Sequence, residues 1–364
     1  MNGTAWRVLL KGGLVPGAAL VLLASCLPFD LVSRSGETEK IAGSAQAQAL
    51  PGPLQKADRF YSGTIIASDP SIQRSPAGLT MVYTDLDVST GRTVIARATS
   101  ADGAEWQPQG GSGGIKGLVI AGRNGEWDEN VESSALVPKG SGWELFYSGY
   151  RDKGNPFKGF PAALGLASSP DGETFTRVSN DPVMQPTKGW YDNDAIYSPT
   201  VLLEGGTYYM VYVGHAYTDT SQIAAGGVYL LAATSTDGMS WTKSPEPLAR
   251  PGQFGGWRSD GMAEPYLVRR GAGDYLLFYT GLGGEERAIG VATGPSPAGP
   301  WEFGSEPLIT PGPEGGPDGH QVLAPAAMLD GDALRIWYLA ATAEGALSIG
   351  QASGSMTESL AATR

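Results

Sequence analysis

Leu145-Phe-Tyr-Ser-Gly149 and Leu277-Phe-Tyr-Thr-Gly281 are near copies of one another, 132 residues apart. Looser versions stand at Thr80-Met-Val-Tyr-Thr84, Met210-Val-Tyr-Val-Gly214 and Arg335-Ile-Trp-Tyr-Leu339, so a tyrosine recurs at 83, 147, 212, 279 and 338, every 59 to 67 residues. A period of that order marks a fold assembled from one repeated supersecondary unit. Each copy is apolar and aromatic and ends in small residues, as a buried strand does. A second small, apolar strand follows each, over residues 94–100, 163–169, 230–235, 288–293 and 347–352. Three of these run into one turn, Ser100-Ala-Asp-Gly-Ala-Glu-Trp106, Ser169-Pro-Asp-Gly-Glu-Thr-Phe175 and Ser235-Thr-Asp-Gly-Met-Ser-Trp241; a fourth unit keeps only the ring, Trp301. Asp-Gly makes the turn tight because Gly accepts positive φ and Asp bonds nearby amides, and the closing ring can pack between neighbouring sheets.

Ahead of each tyrosine strand lies a further one: Ala67-Ser-Asp-Pro70, Glu132-Ser-Ser-Ala135, Tyr197-Ser-Pro-Thr200, Ala263-Glu-Pro-Tyr266 and Leu323-Ala-Pro-Ala326. Four of the five carry Pro at the matching place. Pro is tolerated in a sheet only at an edge, and the innermost strand of a propeller blade is such an edge, facing the central channel. Five units therefore predict an all-β, five-bladed β-propeller over residues 60–354, with 355–364 as a tail. The ring should close by a strand from near residue 60 completing the last blade, since an open seam would leave sheet edges unpaired.

Composition agrees. The chain has 364 residues, 53 Gly, nine Trp, fifteen Tyr and nine Phe, too many rings for disorder and many glycines for turns. Its net charge of −12 argues against nucleic acid, which asks for a basic face. At the N-terminus, Arg7 and Lys11 precede a short apolar stretch ending in Leu23-Ala24-Ser25-Cys26. That stretch is too short to span roughly 30 Å of hydrocarbon and fits a signal peptide. Its end resembles the bacterial lipobox, in which the cysteine is lipidated; Cys26 is the chain's one cysteine. Residues 1–26 thus read as a lipoprotein signal peptide and 27–59 as a flexible tether, placing the protein at the bacterial cell envelope on a lipid anchor.

Chemistry is expected on the inner strands. Aligned on the Pro, the residues before it are Asp69, Ser134, Ser198, Glu264 and Ala324; four earlier, on the same face if no bulge intervenes, stand Ile65, Asn130, Asp194, Asp260 and His320. Carboxylates crowded in a narrow channel repel one another and hold protons. Asp194 and Asp260 could equally bond loop amides, and His215 reads as a loop residue. Trp127, Trp190 and Trp257 could pack blades or stack on sugars, and packing is the better reading.

Five blades, an Asp-Pro on the first inner strand, a Glu by the fourth Pro and Gly-His on the fifth resemble glycoside hydrolase family 43, the arabinanase and xylosidase propellers allied to invertases and levansucrases. The Ser-x-Asp-Gly turns also have a sialidase flavour, but sialidases have six blades and an arginine cluster. The family 43 resemblance implies Asp69 as general base and Glu264 as general acid. It implies a third-blade Asp that adjusts the acid; that position is Ser198 here, leaving Asp194 as substitute. It implies His320 near a central water or cation. No cofactor is required, though the channel offers a place for structural Ca2+ or another cation, with His320 as ligand. Asp260, His320, Ser198, Ser134 and Asn130 are then candidate substrate-binding residues. Two functions stay open: an inverting, lipid-anchored glycosidase acting as a monomer on poly- or oligosaccharide, or a catalytically silent propeller that binds glycan or protein.

Overall fold

The structure, a computed structural model, describes residues 50–76, 78–112, 114–151, 162–217 and 226–357. Cys26 and most of the expected tether lie outside them. Five antiparallel sheets follow one another along the sequence, each ordered inner, second, third and outer strand. The inner strands are Ser68–Ser75, Asn130–Lys139, Ala195–Glu204, Gly261–Gly271 and Gln321–Asp330, for blades I to V. The repeated tyrosine strands are second, at Gly78–Asp87, Gly142–Tyr150, Thr207–Ala216, Asp274–Gly283 and Ala333–Ala341. The one helical segment among the described residues is a short turn at Gly256–Arg258. The fold is an all-β, five-bladed propeller.

The predicted turns form as their chemistry requires. Gly103, Gly172 and Gly238 sit at φ of 83°, 74° and 77°. Their amides donate to Ser100, Ser169 and Ser235 Oγ. Asp171 and Asp237 accept from two further amides each, which pulls both carboxyls down to about 2. Each turn delivers its ring onto the preceding blade: Trp241 meets Phe146 at 5.7 Å, and Trp106 meets Trp337 at 6.1 Å. The four largest apolar clusters accordingly bridge blades, so neighbouring sheets stabilise one another.

A second device repeats at the rim. In blade II the buried Asp128 accepts from Tyr147 OH at 3.2 Å and from Arg177 Nε of the outer strand at 2.7 Å. In blade III Asp192 accepts from Tyr212 OH and Lys243 Nζ. In blade V Asp318 accepts from Tyr338 OH at 2.9 Å and Lys56 Nζ at 2.6 Å. Lys56 belongs to the N-terminal segment. Leu50–Pro51 and Gln55–Lys56 pair with the last strand, Leu347–Thr357, and Tyr61 bridges Ile349. The ring thus closes by an N-terminal strand, and the tether expected over 27–59 ends by residue 50. Strand pairing reaches at least from residue 50 to residue 357, past both of the expected 60–354 limits.

Candidate active site

Every inner strand carries the same irregularity. Register slips at Ser68/Ser71, Glu132/Ala135, Tyr197/Thr200, Ala263/Tyr266 and Leu323/Ala326. Within each slip one non-glycine residue is left-handed: Asp69 (φ 49°), Ser133 (45°), Ser198 (47°), Glu264 (50°) and Ala324 (44°). A bulge adds a residue to one strand and re-aims its side chain. Since Ala324 shares the geometry, the bulge belongs to the fold, and chemistry enters through the side chain placed there. In blade II that residue is Ser133. The expected residue, Ser134, occupies the Pro position instead; with no Pro to mark the register, two adjacent serines cannot be told apart in sequence.

Hydroxyls of the second strands fasten these bulges across blades. Ser133 N–H donates to Thr84 Oγ1 at 3.1 Å, Ser198 N–H to Ser148 Oγ at 3.0 Å, and Ala324 N–H to Thr280 Oγ1 at 2.9 Å. Tyr266 crosses from blade IV to blade I, its OH donating to Ile72 O at 2.9 Å. Between them lies a small central cavity of about 30 Å3, open to solvent, onto which Asp69, Ser133, Ser134, Ser198, Glu264 and Ala324 all open. Asp69 and Glu264 therefore share one chamber.

Their environments differ. Glu264 is 8% exposed; its Oε2 accepts from Thr280 Oγ1 at 2.7 Å and from Ala324 N–H at 2.9 Å. Burial, and then the charge of Asp69, push its carboxyl up to about 7 against those donors and the pull of Arg287. Asp69 is also raised by burial, but the hydroxyls of Ser68, Thr84 and Ser133 oppose the rise. With three hydroxyls opposing its rise, Asp69 is the better stabilised anion, and the proton holder is Glu264.

A third buried carboxyl, outside the lining of the cavity, feels the charge of both. Glu132 is 6% exposed on the inner strand of blade II, its Oε2 accepting from Tyr150 OH at 3.1 Å. Burial raises it to about 8, reinforced by the charges of Asp69 and Glu264. Alignment on the Pro does not find it, because it precedes the bulge rather than occupying it. The available signal is a glutamate where the other blades place Ser68, Tyr197, Ala263 and Leu323.

The remaining candidates lie nearer the mouth. Asp194 accepts from Tyr217 N–H and from Asn193 Nδ2, and Asp260 from Gly284 N–H and Ser259 Oγ. Both hold loops, and the negative charge acting most strongly on Glu264 is that of Asp69 rather than either of theirs. Asn130 Oδ1 accepts from Thr93 N–H at 3.4 Å. His320 is half-buried just ahead of the blade V inner strand, its N–H donating to Ala341 O. Among the described residues no three or more His, Cys, Asp and Glu side chains gather as a metal-binding group, His320 included. His215 lies on the second strand of blade III, not on a loop, 5.1 Å from the Tyr197 ring; burial lowers it to about 4 and keeps it neutral at physiological pH. Trp127 and Trp257 stack on the blade tyrosines Tyr147 and Tyr279 at 6.1 and 5.8 Å, as packing requires.

Five sheets in a ring, with the carboxyls of Asp69 and Glu264 on one central cavity, define a five-bladed propeller with an acidic centre. No family model and no curated protein matches the sequence, but solved structures do. A complex of BT0996 with RGII superposes with a TM-score of 0.66 at 18% identity, covering 87% of this protein and 95% of the other. A structure described as a glycoside hydrolase gives 0.64 at 18%, covering 87% and 92%. A thermostable family-43 glycoside hydrolase gives 0.57 at 16%, covering 79% and 88%. At these identities the likeness is one of fold.

Proposed function

We propose that the protein is a glycoside hydrolase that cleaves poly- or oligosaccharide with inversion, using Glu264 as general acid and Asp69 as general base. One observation carries this reading. Two bulges of the same ring place carboxyls on one chamber, and burial together with the Asp69 charge keeps Glu264 protonated close to neutrality. Glu264 donates its proton to the leaving glycosidic oxygen while Asp69 takes one from the attacking water. Activity should fall as pH rises through about 7, where Glu264 gives up the proton it must donate. The fold neighbours, glycoside hydrolases by description, support the substrate class.

The test is a screen of the purified domain against aryl glycosides, arabinan, xylan and fructan, with the anomer of the first-formed product read by NMR. A product of retained configuration would overturn the direct displacement. A second reading, a silent glycan-binding propeller, is favoured by Ser198 standing where the family resemblance implies a carboxylate; glycan binding without turnover on any substrate would select it. We further propose that Cys26 carries a lipid that holds the domain at the cell envelope, supported by the lipobox-like Leu23-Ala24-Ser25-Cys26. Cys26→Ala should then move the protein from the membrane to the soluble fraction, and unchanged fractionation would refute the anchor.

A further inference from the structure

We infer that Tyr217 is a sugar-stacking residue at the mouth of the propeller, the outer end of a line of rings rising from the chamber, where it takes one ring of a neutral glycan. The inference deepens the reading of the chamber as a glycan site and rests on it, but its test does not need turnover.

Tyr217 is the one exposed aromatic ring among the described residues, at 44%. Trp127 and Trp257 are taken up by packing, lying nearly parallel to their blade tyrosines at 11° and 9°. Tyr217 instead meets the His215 ring at 6.0 Å and 76°, and nearly half of its surface stays in water. It directly follows the second strand of blade III, Thr207–Ala216, five residues past the repeated Tyr212. The same count lands on Val88, Asp152, Gly284 and Ala343 in the other blades, so the repeat does not call for a ring here. Folding leaves this apolar face uncovered, and an incoming apolar surface would gain by covering it.

The rings run inward from there. His215 lies 5.1 Å from Tyr197, and Tyr197 lies 6.5 Å from Tyr150. Exposure falls along the line, from Tyr217 through the half-buried His215 and Tyr197 to the fully buried Tyr150. Tyr197 immediately precedes Ser198, whose bulge lines the central cavity. The exposed ring therefore stands two ring-to-ring steps from a neighbour of the chamber wall. Its backbone is held in place, since Tyr217 N–H donates to Asp194. Desolvation at the mouth, and then the charges of Asp260 and Asp194, push its phenol up to about 12, so the ring stays neutral. A sugar offers C–H groups on the faces of its ring and hydroxyls around the edge. The C–H face gains dispersion energy against an aromatic ring, and the hydroxyls donate to carboxylates. The same carboxylates repel an acidic sugar, so the occupant that fits is neutral.

Calorimetric titration of the full-length protein carrying Glu264→Gln, so that no ligand is consumed, reads this directly. The probes are oligosaccharides of arabinan, xylan and fructan, with oligogalacturonate as the acidic comparison. Adding Tyr217→Ala should weaken the best-bound neutral oligosaccharide by about tenfold, the worth of one well-placed aromatic contact. Tyr217→Phe keeps the ring and should retain most of the affinity. Oligogalacturonate should bind more weakly than the neutral probes. Equal affinity of Tyr217→Ala and its parent, equal losses in Tyr217→Ala and Tyr217→Phe, preference for oligogalacturonate, or no binding of any probe overturns the inference. If Tyr217→Ala melts lower than its parent, Tyr217→Leu, apolar but without a ring, takes its place. If Glu264→Gln folds poorly, the wild type is titrated where it cleaves nothing, and KM replaces Kd where it does. A protein that cleaves glycans with undiminished affinity in Tyr217→Ala loses this inference and keeps the glycosidase reading. One that binds through Tyr217 and cleaves nothing does the reverse.

Discussion

At the rim, blades II, III and V use the same three groups: a buried aspartate, the tyrosine of the second strand and a cation from the outer strand. At the centre, one backbone geometry carries Asp, Ser, Ser, Glu and Ala. The rim repeats in chemistry, whereas the centre repeats only in shape. The difference teaches where selection for folding ends. A clasp that ties the outer strand to the blade serves closure alone, so its parts recur in three of the five blades. Blade V makes the point, because its outer strand comes from the other end of the sequence and still supplies a lysine. A bulge fixes only φ and ψ, so its side chain is free to differ, and carboxyls at two of five positions are a departure that closure does not explain. Blades I and IV depart at the rim as well: Tyr83 OH meets Tyr61 OH at 2.9 Å, and Arg258 donates to Tyr279 OH at 2.7 Å, where blades II, III and V place an aspartate.

The largest effects should come from breaking the centre where it differs. Glu264→Gln and Asp69→Asn should each lower turnover by about 10²- to 10⁴-fold, the usual worth of a general acid or base. Ser198→Ala, at the same bulge of blade III, should leave turnover nearly unchanged. Kinetics on whichever glycoside the screen identifies make the comparison. Equal losses at all three bulges would mean that the bulge itself, and not its carboxyls, carries activity.

Breaking the rim should act on stability instead. Asp192→Ala leaves Lys243, whose side chain is 18% exposed, without the carboxylate it faces. Loss of one partner of a buried pair costs about 3 kcal/mol or more, to be read as a lower denaturant midpoint. Lys56→Ala at the closing seam should cost less, since Lys56 is 30% exposed and Tyr338 still donates to Asp318. If the seam variant were the more damaging, the ring would depend on its closure more than on any internal blade.

The same contrast governs what could be read from sequence. The blades were legible because tyrosine strands and Asp-Gly turns are rim and core features, and those repeat. Closure by an N-terminal strand was legible too, from the need to cover sheet edges, but its full extent was not: Leu50-Pro-Gly-Pro-Leu-Gln-Lys56 has two prolines and no alternation, and only Lys56, in the role of Arg177 and Lys243, ties it to the pattern. At the centre, Asp69 and Glu264 were legible because Pro70 and Pro265 mark the register. Ser133 and Glu132 were not, because blade II lacks that Pro and a bulge moves side chains in a way that alternation does not foresee. Alternation over four residues points Asp194 and Asp260 at the site, whereas their hydrogen bonds to the amides of Tyr217 and Gly284 come from loop folding, which the strand pattern does not encode.

The smallest effect concerns the shape all five bulges share. A non-glycine residue held at positive φ costs of order 1–3 kcal/mol. Glycine would relieve that cost but loses roughly 0.5–1 kcal/mol more conformational freedom on folding. Ser198 is the clean place to weigh the two, being half-buried and having its backbone N–H, rather than its side chain, bonded to Ser148. Ala324 is less clean because its methyl packs in an apolar cluster at 5% exposure. Ser198→Gly should therefore stabilise the protein slightly, by about 0.5–1 kcal/mol, seen as a small rise in Tm with turnover unchanged. Asp69→Gly and Glu264→Gly relieve the same strain and should abolish turnover. A fall in Tm for Ser198→Gly would show that the side chain at the bulge contributes more than the strained backbone costs, and the centre would then be constrained by packing as the rim is.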